Sequence, residues 1–223
     1  MASLTAMSTS KPAPASHWIQ YGCGLDAPAG WLNFDASPTL RLQRLALIGA
    51  LFQYRTPFPP TVRYGDIVRG LPVADACAEG LYCSHVLEHL SADDVATALR
   101  HSYQILRPGG TFRLVLPDLA HMVRGYLQAT DAMACQQFMR DSGVLINKRS
   151  HGLKSFLITW FGNSTHLSLW DYAGMAHMLE QAGFMEIRPA RCGDSGLTQF
   201  NQVENPNRWE NALGIACRRP THR

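Results

Sequence analysis

Between residues 78 and 117 two apolar runs bracket one strongly marked helix, and this unit limits the fold more than any other feature of the chain. "AEGLYCSH" and "TFRLVLP" are short and bounded by turn signals, as buried strands are. "SADDVATALRHSYQILRPGG" between them is a helix by its own punctuation. Ser91 can cap it, with Asp94 three residues on, as in a capping box. Val95, Ala98, Leu99, Ser102 and Leu106 share one face, and Pro108, Gly109 and Gly110 stop it. A strand, a helix and a strand in this order make a parallel pair with a crossover helix.

The pattern extends both ways. "HWIQYG", "WLNFDAS" and "TVRYGD" are three earlier strands. A helix over "SPTLRLQRLALIGALFQY" follows the second and is broken by "RTPFPP". Beyond Pro117, "DLAHMVRGYL", "DAMACQQFMRD" and "SLWDYAGMAHMLEQAGF" read as helices, the last stopped at Gly183. "MEIRPARC" and "NALGIACRR" are final strands. Five strands within about the first 120 residues, interleaved with helices, argue for an α/β fold with a mostly parallel sheet, helices on both faces and a C-terminal antiparallel hairpin. The chain has 223 residues, 46% of them hydrophobic, enough for one core. Residues 1–16 read as a flexible leader. Residues 17–223 read as one domain, with 131–169 a possible acceptor-side lid.

The formal net charge is only +3, and Arg218, Arg219 and Arg223 crowd the last six residues, so no basic stripe points to nucleic acid. The longest apolar run, "LALIGALF", is too short to span a bilayer. Six cysteines without a C-x-x-C pair suit reduced, mostly buried thiols and a cytoplasmic setting. The sequence does not indicate an oligomeric state.

In open α/β sheets ligands bind beyond the carboxyl ends of the strands. Gly22–Gly24, Asp35, Asp66 and Ser84–His85 fall there, and Asp118 follows the fifth strand. Ten residues separate Gly24 from Asp35, too few for the helix of a dinucleotide fold, which places its acid about 20 residues after the glycines. The glycines permit close backbone approach, or form an ordinary turn. Asp35 can accept from a ribose diol or cap the next helix. Asp66 can accept from an adenine amine or form an Asx turn.

"IQYGCG", "NFD", "YGDIVRGLPVAD", "LYCSHVLEHL", "LRPGGTFRLVLPDL" and "LEQAGF" resemble, in order, the motifs of class I S-adenosylmethionine-dependent methyltransferases, over about residues 18–190. Within that family the chain is most similar to small type-11-like members in which "GCG" is soon followed by "GW-x-N-x-D": here Gly22-Cys23-Gly24, Gly30-Trp31 and Asn33-x-Asp35. The resemblance implies a Rossmann-like methyltransferase sheet and S-adenosylmethionine as cofactor. It sets Gly22, Cys23 and Gly24 on the methionine part, Asp35 on the ribose, Asp66 and Ile67 at the adenine, and Ser84 and His85 under the sulfonium. The chain departs from the wider family in its loop, reduced to "LDAPA", and in its strand-four acid, Glu79. A cofactor without phosphate does not need the helix N-terminus that a pyrophosphate uses.

A base with a pKa near neutrality assists transfer to oxygen, and His85, His166 and His151 are candidates, with Asp118 to orient acceptor hydroxyls. Taken singly, each histidine reads first as a capped or surface imidazole. Phe156, Trp160, Phe161 and Trp170 are either acceptor wall or core. A small-molecule acceptor, a sugar or another hydroxylated metabolite, is the expectation. A non-catalytic protein of the same fold is the alternative. His85-Val86-Leu87-Glu88-His89 also matches H-x-x-E-H, a zinc-hydrolase pattern. That chemistry needs both histidines on one helix face, whereas here a strand end and a new cap leave only a turn. The expectation is therefore no metal, with Glu88 and His89 orienting the loop by hydrogen bonds.

Overall fold

The computed structural model describes residues 17–44, 57–144 and 165–221. Seven strands form one sheet: β1 (His17–Tyr21), β2 (Trp31–Asp35), β3 (Arg63–Tyr64), β4 (Ala78–Ser84), β5 (Leu106–Pro117), β6 (Met185–Pro189) and β7 (Ala212–Arg218). Their order is β3-β2-β1-β4-β5-β7-β6. The strands from β3 to β5 are parallel, and β7 runs antiparallel to both its neighbours. The Rossmann-like, mixed sheet expected from the sequence is the one observed. The antiparallel end differs in one respect: β7 is inserted between β5 and β6. Its run "LGIAC" is buried, as an interior strand must be. β6 is mostly exposed and carries Glu186, Arg188 and Pro189, which suits an edge.

The described helices are α1 (Pro38–Gln43), α2 (Ala92–Ile105), α3 (Leu119–Gln128), α4 (Ala134–Asp141), α5 (Tyr172–Gln181) and the single turn α6 (Pro206–Trp209). Ser91 caps α2 as expected, its Oγ accepting the Asp94 amide at 3.2 Å. The helix ends at Ile105, ahead of Pro108, and Leu106 already belongs to β5. Ser102 sits in the apolar stripe because its hydroxyl meets Tyr21 Oη at 3.2 Å. α1 is capped by Ser37 and not by Asp35. The rest of its expected length, residues 45–56, lies outside the described residues, as does the 1–16 leader.

The larger core lies on the face where α2 and α5 pack, with Val95, Leu99, Met175 and Leu179 against Leu81, Leu114 and Ile215. The opposite face is covered differently. β1 and β2 are joined by nine residues, Gly22 to Gly30, with no helix between them, although parallel strands usually need a dozen or more. The aromatic patch left there, Trp18, Trp31 and Tyr82, is closed by Phe200 and Trp209 from the stretch before β7. The ring of Phe200 meets Trp18 edge-on at 5.3 Å. Arg113, on β5 and fully buried, anchors that stretch by donating to Glu204, Asp194 and the Arg191 carbonyl. Among the described residues, no helix is long and apolar enough to cross a membrane.

Candidate active site

The chain reverses its direction across the sheet between β1 and β4, and a crevice opens at their carboxyl ends. The short loop after β1 is held by buried amides. Gln20 donates to Asn33 Oδ1 at 2.6 Å and to the Asp26 carbonyl at 2.8 Å, while Asn33 donates to the Pro28 and Trp31 carbonyls. Asn33 of the "GW-x-N-x-D" stretch is therefore a clamp on the trimmed loop. Asp35 completes the clamp: Oδ2 accepts the Gly24 amide at 2.9 Å and Oδ1 the Ser37 amide at 2.7 Å. Each oxygen keeps a second lone pair for another donor.

A cavity of about 270 Å³ follows, lined by Tyr21, Gly22, Asp35, Asp66, Ile67, His85, Val86, His89 and Leu90 among others. Gly22 is required here: its φ is +67°, and a Cβ would lie 2.0 Å from Val86 Cγ2. Asp66 caps the turn Ile67–Arg69 through Oδ1, which accepts the Val68 amide at 3.0 Å. It makes the turn that was one of its two readings while still bordering the cavity.

Of the residues anticipated for the cofactor, Gly22, Asp35, Asp66, Ile67 and His85 line this cavity. Cys23, Gly24 and Ser84 are not among its lining residues. Cys23 is buried, and that burial, followed by the nearby Asp35 charge, pushes its thiol up to about 12. Ser84 is engaged by Arg208 of α6, whose Nε donates to Ser84 Oγ at 2.9 Å and whose Nη2 donates to the Ser84 carbonyl at 2.7 Å. Nothing in the local sequence marks Arg208, which lies 124 residues away. Glu79 stands near the start of β4, paired with Arg107 at 2.6 Å, on the opposite end of the strand from the site.

A second cavity, about 650 Å³, opens between α3 and α4 and is lined by His85, His121, Tyr126, Gln137, Phe138, Asp141, His166 and Glu210 among others. His85 borders both cavities. It holds φ at +52° beyond the end of β4 and donates from Nε2 to the Arg208 carbonyl at 2.8 Å. His166 reaches the second cavity, whereas Asp118 does not line it: its Oδ1 caps α3 through the Ala120 amide. Trp170 packs on the core. His151, Phe156, Trp160 and Phe161 lie outside the described residues.

The H-x-x-E-H stretch does not form a metallopeptidase helix. His85 follows a strand, and Leu87–His89 is a single tight turn. Glu88 orients the neighbouring chain through its backbone carbonyl, which accepts the Leu167 and Ser168 amides. Its carboxylate makes no hydrogen bond among the described residues, whereas His89 Nδ1 donates to the Thr165 carbonyl at 3.2 Å.

Residues 20–114 match a protein-family model described as "Methyltransferase domain". No curated protein matches the chain. Among solved structures the chain is similar to PigF with SAH, at 14% identity, 92% of this chain, 50% of that one and a TM-score of 0.47. It is also similar to Haemonchus contortus phosphoethanolamine N-methyltransferase 2 in complex with phosphomonomethylethanolamine and S-adenosylhomocysteine, at 11% identity, 94% and 50% coverage and a TM-score of 0.49. A third is a SAM-dependent methyltransferase from Archaeoglobus fulgidus, at 12% identity, 92% and 86% coverage and a TM-score of 0.47. The chain spans half the length of the first two.

Proposed function

We propose that this chain, whose residues 20–114 match a methyltransferase-domain model, is an S-adenosylmethionine-dependent methyltransferase that moves a methyl group to a small-molecule acceptor, a hydroxyl of a sugar or another metabolite. The observation that carries the reading is the position of His85, which borders both the cavity of Gly22, Asp35 and Asp66 and the larger cavity of His121 and His166. One cavity is read as the cofactor site and the other as the acceptor site.

The first cavity suits the cofactor. Its lining among the described residues carries Asp35 and Asp66 and no Lys or Arg. A phosphate would meet repulsion there, whereas a cationic, phosphate-free ligand with a diol and an amine meets acceptors. Asp35 is assigned to the ribose and Asp66 and Ile67 to the adenine. Gly22 brings the backbone close to the methionine part, with Cys23 and Gly24 shaping its loop, and Ser84 with His85 closes the end of the site. S-adenosylmethionine supplies a methyl group on a positively charged sulfur. The protein's part is alignment and removal of the acceptor proton.

For the second task the chain offers His85, with His89 and His166 gathered where the cavities meet. The His89 and His166 rings are 5.0 Å apart. Tyr126, Gln137 and Glu210 give the second cavity the mixed apolar and hydrogen-bonding surface of a site for a polyhydroxylated molecule. Asp118, spent on its cap, acts from behind this wall by holding α3.

Calorimetric titration with S-adenosylmethionine and S-adenosylhomocysteine, on the wild type and on Asp35→Ala, tests the cofactor site. Micromolar binding that weakens by about tenfold or more in the variant is expected, the worth of a hydrogen bond to a charged group. Wild-type protein that binds neither compound would end the reading. Transfer of labelled methyl across a panel of hydroxylated metabolites and amines then tests the acceptor, and label found on amines alone would overturn the hydroxyl assignment.

A further inference from the structure

Glu88 is 1% exposed, and neither carboxylate oxygen has a hydrogen-bond partner among the described residues. A buried carboxylate without a hydrogen-bond partner is costly, so one kept in a folded protein calls for an explanation. The groups around it are imidazoles. His85 Nδ1 lies 3.3 Å from Glu88 Oε1 and His89 Nε2 lies 4.0 Å from it. One ligand atom each from Glu88, His89 and His166 falls within 4.8 Å of the others.

The ring tautomers follow from the partners on the far sides. His89 Nδ1 is 3.2 Å from the Thr165 carbonyl, His166 Nδ1 is 2.9 Å from the Ser142 carbonyl, and His85 Nε2 is 2.8 Å from the Arg208 carbonyl. A carbonyl only accepts, so each of these nitrogens carries the proton, and in a neutral ring the other nitrogen carries a lone pair. In neutral rings, three nitrogen lone pairs would thus be gathered around a buried carboxylate. One proton could bridge one of these pairs. It would leave the second oxygen and the remaining nitrogens unpartnered. A metal ion takes lone pairs from several directions at once. A ligand histidine whose second N–H is held by a backbone carbonyl is also the usual outer-shell arrangement of metal sites.

We propose that Glu88, His89 and His166 bind a divalent first-row transition-metal ion. Imidazole nitrogens favour this class over magnesium or calcium, which prefer all-oxygen shells. Two histidines and one glutamate also leave coordination positions open. His89 borders the first cavity, His166 the second and His85 both, so the ion sits between them. An acceptor oxygen entering an open position would become more acidic there. That role rests on the methyl-transfer reading, whereas the binding of the ion does not.

The test uses the full chain, stripped with a chelator, in a Cys135→Ser/Cys192→Ser background, since these two thiols are exposed and exposed thiols are soft donors that compete for zinc. Zn²⁺ is titrated by calorimetry and Co²⁺ by visible absorption. One equivalent is expected, with cobalt d–d bands and no thiolate charge-transfer band. Glu88→Gln and His166→Ala should each weaken binding by about 100-fold or more, with far-UV circular dichroism unchanged. No stoichiometric binding to the background protein, or binding untouched by both variants, would overturn the proposal. S-adenosylhomocysteine is titrated into the same metal-free samples. Cofactor binding without metal binding sinks the metal site and leaves the proposed function standing. Metal binding without cofactor binding upholds the site and removes the function.

Discussion

Arg208 holds Ser84 from 124 residues away, its Nε donating to the serine hydroxyl at 2.9 Å and its Nη2 to the serine carbonyl at 2.7 Å. The Arg208 carbonyl in turn accepts from His85 Nε2 at 2.8 Å. The same residue therefore fixes the end of β4 and the orientation of the imidazole that follows it. Arg208→Ala should lower turnover by about tenfold or more, since hydrogen bonds from a charged group contribute roughly 1.5–3 kcal/mol. Arg208→Lys should recover little, because an ammonium cannot reproduce the forked pair. Steady-state kinetics beside a thermal melt would check this. Wild-type turnover in Arg208→Ala would show that His85 is oriented by something else.

Gly22 and Val86 form a second coupled pair. Gly22→Ala should cost both stability and cofactor affinity, because its Cβ would stand 2.0 Å from Val86 Cγ2 at a φ of +67°. With Val86→Ala added, the nearest remaining Val86 atom, Cβ, is 3.4 Å away. The double variant should regain part of the melting temperature and of the binding, though not the cost of the backbone conformation. A double-mutant cycle with no coupling between the two sites would contradict the close approach.

The Arg113 cluster predicts an acid limit. Burial raises the Asp194 carboxyl, but hydrogen bonds from Arg188 and Arg113 outweigh it and hold the group at about 2. A folded pKa below the unfolded value of about 3.9 means a contribution complete above roughly pH 4 and lost as pH falls through about 2. Denaturant melts between pH 5 and 2 should show this loss, and Asp194→Asn should flatten it. Arg113→Leu should destabilise by about 3–5 kcal/mol near neutral pH, since Glu204 is left buried without its ion partner. Recovery in Arg113→Leu/Glu204→Leu would confirm that the unpaired charge is the cause.

The elements that could be read from the chain are those whose signals are local. The capping box at Ser91 and Asp94, the apolar spacing of α2, the stop at Pro108–Gly110 and the runs of β4 and β5 each act within a few residues, and they were sufficient for a mostly parallel α/β sheet. Gly22, Asp35, Asp66 and His85 were legible for a related reason: parallel strands present their carboxyl ends on one edge, so residues spaced widely in sequence share a crevice. Contacts across the sheet were not legible. The insertion of β7 between β5 and β6 depends on competition between two strands for one buried place. The cover that replaces the missing helix between β1 and β2 comes from Phe200 and Trp209, and the support of Ser84 from Arg208. The grouping of His166 with Glu88 and His89 was not legible either, because the three meet only in three dimensions. Local hydrogen bonding and side-chain periodicity are written in neighbouring residues. Which groups share a buried, water-free volume is decided by packing, and only the folded chain determines it.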